Sequence, residues 1–317
     1  MNLSLILKLR CRFWYNMRKL LPTLRRFRLK IDINLVRGGL RRIGYAKART
    51  SYPLLSGDTY RLTADYVYEK SWTAENFAKI SSSERENVLF VSLRDFSVFF
   101  IQMTSLDLHL RSTHLLLHNH DSKPSLSEMQ FLNTRFNRIS CANWVEPIEL
   151  ASPLPLGLEN FSYLRNGVPR DYLRMIKNGL PAFEDRSIEV LGAFSISTNV
   201  SERTRAFEFL SSYPKAYLNT EFLSPKDYRN LVVNSKYVLS PPGSGTDCHR
   251  TWEALYLGAI PIVLRSSWGF PEDDLPVLIV SDWEEVPGKI LSSKIRNQSS
   301  VLELAEKYLH PFSNLRG

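Results

Sequence analysis

The sequence predicts an α/β protein built as two doubly wound halves, and three observations carry that expectation. Short apolar runs that read as buried strands alternate with helical segments along the chain, the pattern of parallel strands covered on both faces. A set of turn signals, "NGLPAFEDRS" at 178–187, separates one such series from a second. A length of 317 residues, with 44% hydrophobic and 23% charged residues, suits about two domains with a sizeable core and does not suit disorder. The expected division is an arm over 1–50, a first half over 51–180 and a second over 181–317.

The arm stands apart by charge. It holds 14 Lys or Arg against the single acid Asp32, a balance of +13 within a formal total of +9, which leaves the remaining residues at −4. The folded body therefore offers no general electrostatic reason to bind nucleic acid. Within 1–30, Leu3, Ile6, Leu7, Phe13, Trp14, Met17, Leu20, Leu21, Leu24 and Phe27 recur at helical spacing, with Lys8, Arg12, Arg18, Lys19, Arg25 and Arg26 between them. Such a basic amphipathic N-terminal helix, kinked at Pro22, suits an anionic membrane surface. A helix docked on the protein's own body, a nucleic-acid arm and a mitochondrial-type presequence are the alternatives. No run approaches the roughly 20 apolar residues of a membrane span. Cys11, Cys141 and Cys248 include no Cys-X-X-Cys pair, so neither a disulfide framework nor a structural zinc site is expected. The expectation is a cytoplasmic protein, peripheral on the inner face of a membrane.

In the first half, "SGDTYR" from position 56 reads as a turn feeding a helix, and 87–93 and 113–118 read as buried strands. The second strand ends in the polar loop "NHDSKPS"; a helix near 127–135 and the Pro-rich "EPIELASPLPLGLENF" follow. In the second half the alternation is plainer: strand "SIEVLGAFS", helix 201–212, strand "KAYLN", helix 224–234 with Ser224 as N-cap and Pro225 at the first position, and strand "KYVLSPP". A glycine turn, another helix, "AIPIVL" and "VLIVSD" complete the series.

That last turn and helix, "SPPGSGTDCHRTWEALYLGAIPIV" at 240–263, carry the chemistry. Asp247 is expected at the N-cap of a helix over 248–257, with Gly258 as a left-handed stop and Pro261 blocking continuation. At about 100° per residue, Cys248, Trp252, Leu255 and Tyr256 share the core face, and His249, Arg250 and Glu253 share the opposite one. A solvated surface would accommodate that polar face with no function. Its place at the carboxyl end of a parallel strand favours a ligand instead. Gly243 and Gly245 permit close backbone approach, and the helix start presents free N–H groups to an anion. Arg250 would bind a phosphate and Glu253 a ribose hydroxyl. The turn matches neither the GxGxxG nor the Walker pattern, which weakens dehydrogenase and P-loop readings.

The same stretch resembles the C-terminal nucleotide-sugar motif of exostosin-type glycosyltransferases and their relatives, including the ribitol β-xylosyltransferase group, and the resemblance extends over about 187 to 286. "SGDTYR", "LLLHNHDS" and "LPLGLEN" look like signposts of bacterial members, in the expected order. The resemblance implies a GT-B architecture, with two Rossmann-like domains facing a cleft, the acceptor on the first and the nucleotide-sugar on the second. It implies Arg250 on the diphosphate, Glu253 on the ribose, His249 and Asp247 shaping the donor loop, and Ser195 and Arg203 as further phosphate contacts. It also implies a glycan or lipid-linked acceptor. No Asp-X-Asp triplet occurs, which agrees with metal-independent transfer and no cofactor beyond the donor.

Inverting transfer needs a proton acceptor in the first half. Asp121 is the first candidate because it follows a strand end; His118, His120 and Asp58 come next, and each is otherwise a loop residue satisfying local backbone. His118 and His120 alternate sides on an extended chain, so a metal site is not expected. The leading expectation is a hexosyl- or pentosyltransferase with a uridine-linked donor. A guanosine-linked, fucosyltransferase-like enzyme and a non-catalytic, membrane-tethered scaffold of the same fold are the alternatives.

Overall fold

Runs of branched and aromatic residues form the strands of two separate five-stranded parallel sheets in the computed structural model. The structure describes residues 50–83, 85–146, 149–294 and 301–309, without the side chains of 301, 302, 305 and 306. The expected amphipathic helix of the arm lies outside the described residues. Among the described residues no helix is long and apolar enough to cross a membrane.

The first half runs α1 (Gly57–Thr63), β1 (Tyr66–Val67), α2 (Ala74–Ser81), β2 (Asn87–Ser92), α3 (Phe96–Ser105), β3 (Leu110–His118), α4 (Leu126–Asn133), β4 (Phe136–Cys141) and β5 (Ser152–Pro153). Its strands lie in the simple order β1-β2-β3-β4-β5. This corrects the expectation of a doubly wound first half. With no reversal of strand order, right-handed crossovers all fall on one face. Phe77 and Ile80 of α2, Phe99 and Met103 of α3, and Met129 and Leu132 of α4 accordingly share one core with Leu89, Val91, Leu115 and Leu117.

The alternate strand residues, Val88, Phe90 and Leu116, face the other way. They join Leu54, Tyr60, Leu156 and Leu158 in a core that continues into the second half through Leu191, Val238, Trp252, Leu255 and Tyr256. One apolar core thus spans both halves. The Tyr256 hydroxyl accepts a hydrogen bond from the Leu55 amide at 2.8 Å across it.

After α5 (Pro169–Lys177), the second half runs β6 (Ile188–Ala193), α6 (Val200–Ser212), β7 (Ala216–Asn219), α7 (Pro225–Val233), β8 (Ser235–Leu239), α8 (His249–Tyr256), β9 (Ile260–Leu264), β10 (Leu278–Val280), α9 (Val286–Ser292) and α10 (Val301–Leu309). Ser224 caps α7 by accepting from the Asp227 amide at 3.1 Å, with Pro225 in the first turn. The strand order β10-β9-β8-β6-β7 steps out to β7 and returns past β6 to β8. This sheet is doubly wound: α6 and α9 bury Phe209, Leu210 and Val286 on one face, and α7 and α8 bury Val232, Trp252 and Leu255 on the other. In sheets of this kind ligands bind at such a reversal, here the carboxyl ends of β6 and β8.

Candidate functional site

The loops after β6 and β8 meet at that reversal, and two arginines tie them together. Arg203, on the first turns of α6 and 6% exposed, donates from Nε to Pro242 O at 3.0 Å, from Nη1 to Ser195 O at 2.7 Å and from Nη2 to Pro241 O at 3.4 Å. Its guanidinium is spent on holding the turn, so Arg203 is a clamp before it is a phosphate ligand. Ser195 is exposed, with its hydroxyl on Ser197. Arg250, in the first turn of α8, donates from Nε to Ala193 O at 3.1 Å, while its buried Nη1 has no partner. Phe194 lies under both guanidinium groups, 5.9 Å from that of Arg203 and 5.5 Å from that of Arg250. Among the described residues neither arginine forms an ion pair with a carboxylate. Two neighbouring cations, one buried and one half-buried, neither in a direct ion pair, favour an anion here, although the Glu253 carboxyl lies within electrostatic reach of Arg250.

The expected polar face of α8 is present, but it is not solvated. Glu253 is 4% exposed, and burial pushes its carboxyl up to about 7 against the lowering effects of the Tyr228 hydroxyl and the Arg250 guanidinium. His249 donates from Nδ1 to Gly157 O of the first half at 2.7 Å. Burial also lowers its basicity, while the nearby carboxylates of Glu159 and Asp121 oppose that shift.

Asp247 is not the N-cap; Cys248 is. The Asp247 carboxylate is drawn off by stronger claims. Oδ1 accepts from the Cys248 amide at 2.7 Å, and Oδ2 accepts from Trp252 Nε1 at 2.8 Å and from the Leu156 amide of the first half at 2.9 Å. Desolvation raises its carboxyl to about 6. Gly258 ends α8 with φ 76°, the left-handed stop its sequence calls for.

The two glycines of the turn answer to protein neighbours. A Cβ at Gly243 would sit 2.7 Å from Arg203 Nη2, and one at Gly245 would sit 2.5 Å from Asn143 Oδ1. Close approach is the reason for glycine here, and the approaching groups are the protein's own clamp and Asn143.

The three signposts of the first half converge on this turn. His118 ends β3 and is 2% exposed; its Nδ1 accepts from the Asn119 amide at 2.6 Å, and its Nε2 donates to Pro155 O at 3.1 Å. Both ring nitrogens are engaged, and desolvation lowers its pKa to about 4. At neutral pH His118 is therefore uncharged, with its one lone pair held by the Asn119 amide. Asn119 Oδ1 accepts from Asn160 Nδ2 at 3.1 Å, and Asn160 Oδ1 accepts from the Asp58 amide at 2.9 Å. "SGDTYR", "HNHD" and "LGLEN" are thereby one polar network. Burial raises the Asp58 carboxyl to about 6, opposed by the backbone amides of Phe161 and Ser162 and by Arg61.

His120 is exposed and its Nδ1 is bonded to Ser122. Asp121 is exposed, and its carboxylate makes no hydrogen bond or ion pair among the described residues. It is the candidate base left free, on the His249 side of the network. Glu159, Asn143 and Asn160 escaped sequence reasoning. Glu159 had a signal, lying inside "LGLEN"; Asn143 and Asn160 had none, because a single asparagine carries no pattern.

No family model matches this sequence. Among solved structures the fold is similar to one described as "Crystal Structure of alpha1,3-Fucosyltransferase", at 10% sequence identity and a TM-score of 0.34, covering 80% of this chain and 89% of that one.

Proposed function

We propose that this protein is a glycosyltransferase that holds a nucleotide-sugar by its diphosphate at the carboxyl ends of β6 and β8. The observation that carries the reading is the buried, unbonded Nη1 of Arg250, on a half-buried guanidinium with no direct ion pair and beside the clamp Arg203. We assign Glu253, one turn along α8, to a ribose hydroxyl; its raised pKa would let it donate or accept. The resemblance of 240–263 to the exostosin-type motif points to a uridine-linked donor and a GT-B arrangement of donor and acceptor halves.

In the inverting reaction we propose, the acceptor hydroxyl attacks the anomeric carbon as the bond to the diphosphate breaks. Asp121 takes the hydroxyl proton, and the charge of the leaving diphosphate falls on Arg250 and the start of α8. This route asks for no metal ion. The test is calorimetry of the protein against uridine, guanosine, cytidine and adenosine diphosphates, with and without magnesium. One diphosphate is expected to bind selectively and without metal; absence of binding by all four would refute the reading.

The acceptor, a glycan or lipid-linked sugar, would be met at a membrane through the basic arm. Deletion of residues 1–30 is expected to release the protein from anionic liposomes, and unchanged co-sedimentation would refute that role.

A further inference from the structure

Asn143 occupies a position that nothing about catalysis has so far used. It follows β4, is 4% exposed and has φ 61°, in the left-handed region that asparagine tolerates better than most residues. Its Oδ1 accepts from the Asp247 amide at 3.0 Å, and its main-chain oxygen accepts from Thr246 Oγ1 at 3.0 Å. Its Nδ2 donates the other way, to His120 O at 3.3 Å and, in a longer contact of 3.5 Å, to Asp121 O. One short side chain thus ties the glycine turn of the second half to the loop that carries Asp121.

We propose that Asn143 is a positioning residue that couples the two loops, so that displacement of the glycine turn at 243–247 is transmitted to the backbone of Asp121. The chemistry restricts the choice of residue. Coupling needs an acceptor and a donor on the same short side chain, which aspartate lacks, glutamine places a methylene too far, and alanine removes. The turn is built for the same contact, since a Cβ at Gly245 would fall 2.5 Å from Oδ1. The consequence for transfer, that a bound diphosphate sets the position of the proton acceptor, rests on the function proposed above. The coupling itself does not.

The experiment is amide hydrogen exchange in the ligand-free protein through a double-mutant cycle. Asn143→Asp keeps the left-handed backbone and the Oδ1 acceptor but removes both donors. Gly245→Ala pushes on Oδ1 from the other side, and Thr246→Val, which removes only one bond, is the milder substitute if Gly245→Ala does not fold. Gly245→Ala is expected to speed exchange at the Asn119 and Ser122 amides about tenfold or more, with β3 and β8 amides unchanged. In the Asn143→Asp background the same substitution is expected to add less than about twofold. Equal effects in both backgrounds, or no effect in either, would overturn the coupling.

Uridine diphosphate forms a separate arm. Protection of 119–122 in the wild type that is absent from Asn143→Asp supports the coupling. Protection of 241–250 without 119–122 refutes it and leaves the donor site standing. Failure of the diphosphate to bind at all refutes the donor site, and the ligand-free cycle then decides the coupling by itself.

Discussion

Replacing Arg250 by alanine is expected to weaken nucleoside diphosphate binding roughly 10- to 150-fold, the worth of one charge-assisted hydrogen bond of about 1.5–3 kcal/mol. Stability is expected to change little. The substitution forfeits one bond to Ala193 O but also removes an under-satisfied cation beside Arg203, whose own charge it disfavours. Arg203→Ala makes the contrast. It strips a donor from the carbonyls of Ser195, Pro242 and Pro241, the last still held by Cys248, and is expected to destabilise the fold by several kcal/mol, with binding lost only as a consequence. Calorimetry and chemical denaturation on the same two variants separate ligand from clamp. Unchanged diphosphate affinity in Arg250→Ala would mean that the unbonded Nη1 serves no ligand.

Glu253→Gln is expected to stabilise the protein while impairing donor binding. The folded carboxyl sits at about 7 against an ordinary 4.5, because burial outweighs Tyr228 and Arg250. Below pH 4.5 both folded and unfolded states are protonated and the residue contributes nothing. Between 4.5 and about 7 the unfolded chain ionises and the folded one does not, so stability falls as pH rises. Above about 7 the full penalty is present, on the order of 3 kcal/mol for a shift of this size. Asp247, raised from 3.8 to about 6, adds a loss of the same sign over a lower window. Urea denaturation from pH 4 to 8 is expected to show wild-type stability declining and the Glu253→Gln curve flatter and higher at pH 8. Parallel curves would show that Glu253 carries no penalty. A residue that costs stability where it stands is expected to be retained for a ligand.

Much of this architecture is legible in short stretches of sequence. The strand at "NVLFVS", the cap formed by Ser224 and Pro225, and the stop at Gly258 each depend on neighbours a few residues away. The polar face of α8 follows from helical periodicity for the same reason. Asp247 does not cap, and only part of the cause is local: beside Cys248 and Trp252, Leu156, 91 residues away, takes the carboxylate. The winding of the first half was equally hidden, since alternation of strand and helix is the same whether the next strand adds to the left or to the right. Strand order decides that, and it is a property of the whole sheet.

The sequence by itself determined most strands and helices of the second half and two strands of the first, and that one glycine turn opens a helix carrying the arginine and the glutamate. Periodicity, capping and turn chemistry operate within about one helical turn or one strand, so the information lies in adjacent residues. Only the tertiary structure decided that Arg203 is consumed as a clamp while Arg250 keeps a free Nη1, that His118 is locked and Asp121 is not, and that Asn143 joins the two loops. Those outcomes rest on which donor meets which acceptor across separations such as the 104 residues between Asn143 and Asp247. Such pairings are settled by the packing of one half on the other, where a buried polar group must find its partner or remain open for a ligand.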